Sequence, residues 1–220
     1  MTTDSARRTS EVSDPGEGRT AKKRRAILQA AQRLFLQKGY VGTSMDEIAG
    51  VAGVSKQTVY KQFADKERLF TEIIVRSIED AEGQSAEMIQ ALPDSDDLAR
   101  DLRTFARSMV TVVLQPHLVR MRRIIIGEAD RFPDLARTWY ERGPGRGHSK
   151  LAARFAELGE RGRLAVDDPL LAAQTFQWLV LSIPLNRLMF DADERLFSTD
   201  DLERYADEGV RVFLAAYGTG

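Results

Sequence analysis

Residues 44–70 read SMDEIAGVAGVSKQTVYKQFADKERLF. Ser44, with Glu47 three residues on, fits a capping box, so the pattern predicts a helix from Met45. Met45, Ile48, Ala49 and Ala52 then share one face. Gly53 falls where the chain must turn tightly, and Ser55 is placed to cap a second short helix by accepting from the amide of Gln57 or Thr58. Val54, Val59 and Phe63 anchor the back of that helix, while Lys56, Gln57, Thr58 and Lys61 face outward. Asp65 caps a long helix in which Leu69, Phe70, Ile73, Ile74, Ser77, Ile78 and Ala81 recur at steps of three and four. Two short helices about a tight turn, the second opening on a row of polar side chains, form the arrangement by which a helix-turn-helix reads a DNA groove.

Upstream, residues 21–38 predict another helix, with Ile27, Leu28, Ala31, Leu34 and Phe35 as its core stripe and Gly39 past its end. The spaced residues Ala31, Leu34, Phe35, Gly39 and Tyr40, then Thr43 to Ala49, Ala52 to Ser55, Thr58 to Tyr60, Phe63, Lys66, Glu67 and Leu69 resemble the DNA-binding domain of TetR-type transcriptional repressors. The resemblance covers roughly residues 21–72. One position departs from it: Gln62 stands where the family often carries an aromatic residue or histidine.

The resemblance implies a recognition helix over about residues 55–62, with Ser55, Lys56, Gln57 and Thr58 at the groove. Lysine suits guanine O6 and N7, glutamine suits adenine N6 and N7, and threonine suits a thymine methyl or a phosphate. Thr43, Ser44, Tyr60, Lys61 and Lys66 would hold phosphates, which fixes register without reading sequence. Taken singly, Tyr60 also reads as a core aromatic with a wet hydroxyl, and Lys61 and Lys66 as solvated surface lysines.

The net charge of −1 is unpromising for a DNA binder until it is divided. Residues 1–64 carry 11 Lys and Arg against 6 Asp and Glu, and the remainder carries 21 against 27. The basic end is the helix-turn-helix end, so the acidic remainder should face away from phosphates. Residues 1–20, rich in Ser, Thr, Asp, Gly and Pro, read as a flexible arm. Arg7, Arg8, Arg19, Lys22, Lys23, Arg24 and Arg25 are available there and in the first helix to touch the DNA backbone, or are simply solvated charge. The arm has no apolar signal-peptide region, no apolar run reaches a membrane span, and cysteine is absent, which together predict a cytoplasmic protein without disulfides or membrane contact.

The rest of the chain also reads as helix. Asp94 or Ser95 is predicted to cap a helix carrying Leu98, Leu102, Phe105, Met109, Val112 and Val113, and further helices begin at Pro116 and Pro133. The run from Gly143 to Gly147 should kink or split the next helix before Leu151, Phe155 and Leu158 resume it. Asp168-Pro169 is a cap followed by proline at the first helical position. The helix after it is apolar nearly all round, so one face is predicted to meet another subunit. With the last helix, about residues 199–217, it would make a two-fold four-helix dimer interface through Phe176, Leu179, Ile183, Tyr205, Gly209 and Phe213. Residues 127–135, the following WYERGP, and GRL before DPLLAA are similar to the ligand-binding half of the AefR-like subgroup. That similarity implies a pocket among the middle helices, for which Phe105, Met109, Met121, Ile125, Trp139, Phe155, Phe176 and Trp178 are candidate lining residues. Such a lining suits a small hydrophobic or aromatic effector. Arg120, Arg122 and Arg123 are candidates for an anionic group but read first as surface arginines.

Enzyme readings find no support. His117 and His148 stand apart without cysteine or an HExxH pattern, and the glycines at 143, 145 and 147 lack the following GK[ST] of a phosphate loop. No catalytic residue, metal or cofactor is predicted. The expectation is therefore an all-α protein: a flexible arm (1–20), a three-helix helix-turn-helix domain (21–66) and a helical effector-binding and dimerisation domain (67–220). Its function would be ligand-responsive repression, with a homodimer on a palindromic double-stranded DNA operator released by a small molecule. The alternative is a DNA-bound adaptor that regulates another protein without an effector; a hollow apolar pocket would favour the first, a solid core with an exposed apolar patch the second.

Overall fold

The computed structural model describes residues 18–92, 94–191 and 196–219. Residues 1–17, which include Arg7 and Arg8 of the expected arm, lie outside the described residues. Four helices make the N-terminal part: α1 (Arg19–Lys38), α2 (Met45–Ala52), α3 (Lys56–Phe63) and α4 (Lys66–Gln90). The body adds α5 (Leu98–Val113), α6 (Pro116–Gly127), α7 (Pro133–Tyr140), α8 (Arg146–Glu160), α9 (Pro169–Phe190) and α10 (Thr199–Tyr217). The fold is all-α, and among the described residues there is no strand.

The helix starts follow from local capping chemistry. Ser44 accepts from the Glu47 amide, Ser55 from that of Thr58, Asp65 from that of Arg68 and Asp168 from that of Leu171. The box at Ser44 is only half made, because Glu47 turns its carboxylate to Lys38 instead of back to the cap. Gly53, at φ 65° and ψ 33°, closes the α2–α3 turn in the left-handed region that glycine enters without a Cβ clash. At the start of α5 the cap is Asp97, not Asp94 or Ser95. Asp94 is drawn to Arg154, Arg161 and Arg163 across the body, and Ser95 donates to the buried carboxylate of Asp101. The glycine-proline run forms a π turn (Glu141–Gly145) between α7 and α8, so the chain changes its helical period there instead of breaking.

Two apolar cores result. The larger unites α5, α8, α9 and α10 around Phe105, Phe155, Phe176 and Phe213. Phe176 packs edge-on to Phe155 at 5.6 Å and to Phe213 at 5.1 Å. The second holds the helix-turn-helix together through Ile27, Phe35, Ile48, Val59, Phe63 and Phe70. Residues 21–66 do not close it alone: Leu69 to Ile78 of α4, Met121 and Ile125 of α6 and Leu135 of α7 are part of it. The helix-turn-helix unit is thus seated on α6 and α7 as well as on α4.

Candidate nucleic-acid interface and interior cavity

The back of α3 is fixed by Val59, which is fully buried, and by Phe63. Helical geometry then leaves the opposite face to solvent. Lys56, Gln57, Tyr60 and Lys61 are all exposed, and Tyr60 keeps 49% of its surface. Ser55 and Thr58 form a small polar unit, with their hydroxyl oxygens 2.8 Å apart at the helix start. Lys56 pairs with Asp46 of α2, so its ammonium is engaged before any partner arrives. Ser44 stands exposed at the N-terminus of α2, where unpaired amides favour an anion.

Two expected phosphate contacts have other tasks. Thr43 is buried, and its hydroxyl donates to the Gly39 carbonyl at 2.9 Å. Lys66 donates to the carbonyls of Tyr40 and Thr43, each at 2.9 Å, and lies over the Tyr40 ring. Burial holds its ammonium below the usual lysine pKa, and nearby Arg131 adds to that effect. Both residues shape the α1–α2 corner that carries the interface. Arg24, read either as a DNA-backbone contact or as solvated charge, makes a two-pronged ion pair with Glu72 of α4 at 2.6 and 2.5 Å.

A cavity of about 90 Å³ opens among α4, α5, α6, the π turn and α8. Room for one water takes roughly 10–15 Å³ on this kind of measure, so it holds more than isolated solvent. Phe105, Met109 and Trp139 line it, as expected. The other five candidates do not. Met121 and Ile125 lie in the N-terminal core, Phe155 and Phe176 are fully buried in the body core, and Trp178 is half exposed on the outer face of α9. Sequence reasoning missed the contributions of α4 (Ile78, Ala81, Ser85 and Met88) and of Gln177, and it offered Arg122 for an anionic group while reading it first as a surface arginine. Arg122 lines the cavity, and its burial depresses the guanidinium pKa.

The expected dimer residues also divide. Phe176 and Phe213 are wholly buried within one chain. Tyr205 packs edge-on against Phe197 at 5.8 Å, and Gly209 lies buried where α10 crosses α9, at the floor of the groove between them. An added Cβ at Gly209 would stand 3.0 Å from the Leu179 backbone. What remains open is a groove in which Leu171, Trp178 and Ile183 keep 55, 50 and 53% of their surface, beside Leu179 and Val212.

Residues 100–219 match the C-terminal domain of AefR-like transcriptional repressors, and residues 27–73 match the bacterial regulatory proteins of the tetR family. The chain belongs to the TetR family. A TetR-family transcriptional regulator from Mesorhizobium loti MAFF303099 is 42% identical and superposes with a TM-score of 0.82, over 92% of this chain and all of that one. The flavonoid-responsive regulator FrrA is 34% identical with a TM-score of 0.65, over 90% of this chain and 97% of that chain. YhgD of Bacillus subtilis (strain 168), an HTH-type transcriptional regulator, is 36% identical over 81 residues, which are 36% of this chain and 42% of YhgD. The match thus spans less than half the length of that curated relative. As a TetR-family member the chain is a DNA-binding transcriptional regulator with a helix-turn-helix. No described helix is long and apolar enough to cross a membrane, and no cluster of metal-binding side chains occurs among the described residues.

Proposed function

We propose that this TetR-family regulator is a homodimeric repressor that binds a palindromic operator and is released by a small apolar or aromatic effector. The observation that carries the reading is the double duty of α6. Leu118 and Arg122 line the cavity, while Met121 and Ile125 on the same helix belong to the core of the DNA-reading unit. A ligand that favours a different seat for α6 must repack Met121 and Ile125, and with them the tilt of α1 to α3. Such a ligand shifts the equilibrium only by its differential affinity for the two arrangements. DNA and effector then weaken each other's binding by the same factor.

The exposed groove on α9 and α10 supports the dimer. A second copy laid on it two-fold would cover Leu171, Trp178 and Ile183, and two pairs of helices would form a bundle. Two copies of α3 would then meet successive major grooves, with Lys56, Gln57 and Thr58 at base edges, Ser55 at the groove as the helix cap, and Ser44, Tyr60 and Lys61 at phosphates. The hollow interior favours an effector over the adaptor reading, and the flavonoid response in FrrA's name supports an aromatic one. In this reading the protein acts as a cytoplasmic regulator and not as an enzyme, as its likeness to HTH-type transcriptional regulators supports.

Anisotropy titration of a labelled operator with and without a candidate effector tests the reading. Effector should raise the apparent Kd for DNA, and DNA should raise the Kd for effector equally. Unchanged DNA affinity at saturating bound ligand would sink the release mechanism.

A further inference from the structure

We infer that the cavity takes an aromatic carboxylate, its carboxylate on the Arg122 guanidinium and its rings against Phe105, Met109 and Trp139. The inference rests on the effector reading above and narrows its ligand class. Most of the lining is apolar; besides the indole N–H of Trp139, the polar side chains there are Arg122, Gln177 and Ser85. None of the three has a hydrogen-bond or ion-pair partner among the described residues.

The contrast with other arginines decides the point. Arg24 is held by Glu72, Arg107 by Asp207 and Glu203, and Arg142 by Glu82. Arg122 is partly buried, and no carboxylate offsets the desolvation that lowers its pKa. Arg122 keeps some contact with solvent, so the anion would relieve a partial desolvation, and a carboxylate satisfies its planar fork through two parallel hydrogen bonds. The ring and thioether walls favour a flat aromatic body through stacking and sulfur contacts. Arg122 also stands one residue from Met121 of the N-terminal core, so a ligand that pulls on this guanidinium acts on the helix that seats the DNA-reading unit.

Calorimetric titration of the full chain with 2-naphthoate and with 2-naphthol, which is neutral at neutral pH, tests this. Naphthoate should bind at least about ten-fold more tightly. Arg122→Met should remove that preference by weakening naphthoate about ten-fold while leaving naphthol nearly unchanged, and Arg122→Lys should keep part of it. Ala81→Trp, which fills the cavity, should abolish both, with thermal melts confirming that every variant is folded. Equal affinity for the two probes, no binding of either, or equal weakening of both by Arg122→Met would overturn the inference. If Ala81→Trp leaves both probes binding as before, the effector site itself is elsewhere. If Ala81→Trp abolishes both but Arg122→Met does not separate them, the cavity stands and only the carboxylate falls.

Discussion

Lys66 donates to the carbonyl of Tyr40 at 2.9 Å and sits 4.4 Å above the ring of the same residue. The contact joins the first turn of α4 to the corner between α1 and α2. Tyr40 in turn packs on Phe70 at 4.8 Å and edge-on to Phe132 at 5.0 Å, so the corner is tied to the linker between α6 and α7. Lys66→Met keeps the bulk and leaves two carbonyls without their donor. It should lower unfolding free energy by about 1–3 kcal/mol, the usual cost of stranded polar groups, as read by urea denaturation. An unchanged midpoint would mean that water replaces the ammonium at no cost.

On α3, reading and anchoring should separate experimentally. Gln57→Ala should cost about 1–3 kcal/mol on the preferred operator and relax choice at one base pair. Lys61→Ala should weaken all sequences alike and reduce the salt slope by about one. Competition binding over a salt series checks both, and the opposite pattern would exchange the two roles.

The Asp46 carboxylate that holds Lys56 competes with DNA and adds a negative charge beside the expected phosphate path. Asp46→Asn should therefore tighten operator binding several-fold at low salt, with the gain shrinking as salt rises. Its effect on stability should be small, since an exposed pair is worth about 0–1 kcal/mol.

Much of the N-terminal part was legible in the sequence because its signals are local. Ser44, Ser55 and Asp65 act within three residues of themselves, and Gly53 answers a single backbone angle. The roles of Lys66 and Arg24 were not legible, because their partners lie 26 and 48 residues away. Orientation in the body failed for a different reason. A helix apolar all round, as α9 is, has no period to say which face is inner, so Phe176 and Trp178 were both read into the cavity although one is core and the other surface. Arg122, a candidate for an anionic group, reads first as a surface residue because arginine is ordinarily exposed, and only the cavity it shares with residues of α4 and α5 reveals its interior setting.

Acid should loosen the joint between α1 and α4. Hydrogen bonds from Arg24 hold the Glu72 carboxyl below its usual range. The folded pKa is then lower than the unfolded one, so the stabilisation is present above about pH 4.5 and lost as pH falls through the folded value. Glu72→Gln should lower stability at neutral pH and flatten the decline below pH 4.5, as followed by thermal melts across pH. Parallel curves for variant and wild type would remove this pair as a source of acid sensitivity.

The exposed α9 face gives a test of assembly. Trp178→Lys together with Ile183→Lys places charge in the expected interface without entering either core. Sedimentation should show dimers for the wild type and monomers for the variant, with operator affinity falling because one head binds alone. A variant that still sediments as a dimer would place the interface elsewhere.

Binding-site selection from random double-stranded DNA, run on the purified chain and on a Lys56→Ala, Gln57→Ala, Thr58→Ala triple variant, is the most direct trial of sequence reading by α3. The expected result is an enriched two-fold symmetric site for the wild type that the variant fails to enrich. No enrichment, or the same site recovered by the variant, would contradict recognition by this helix and leave only sequence-independent binding.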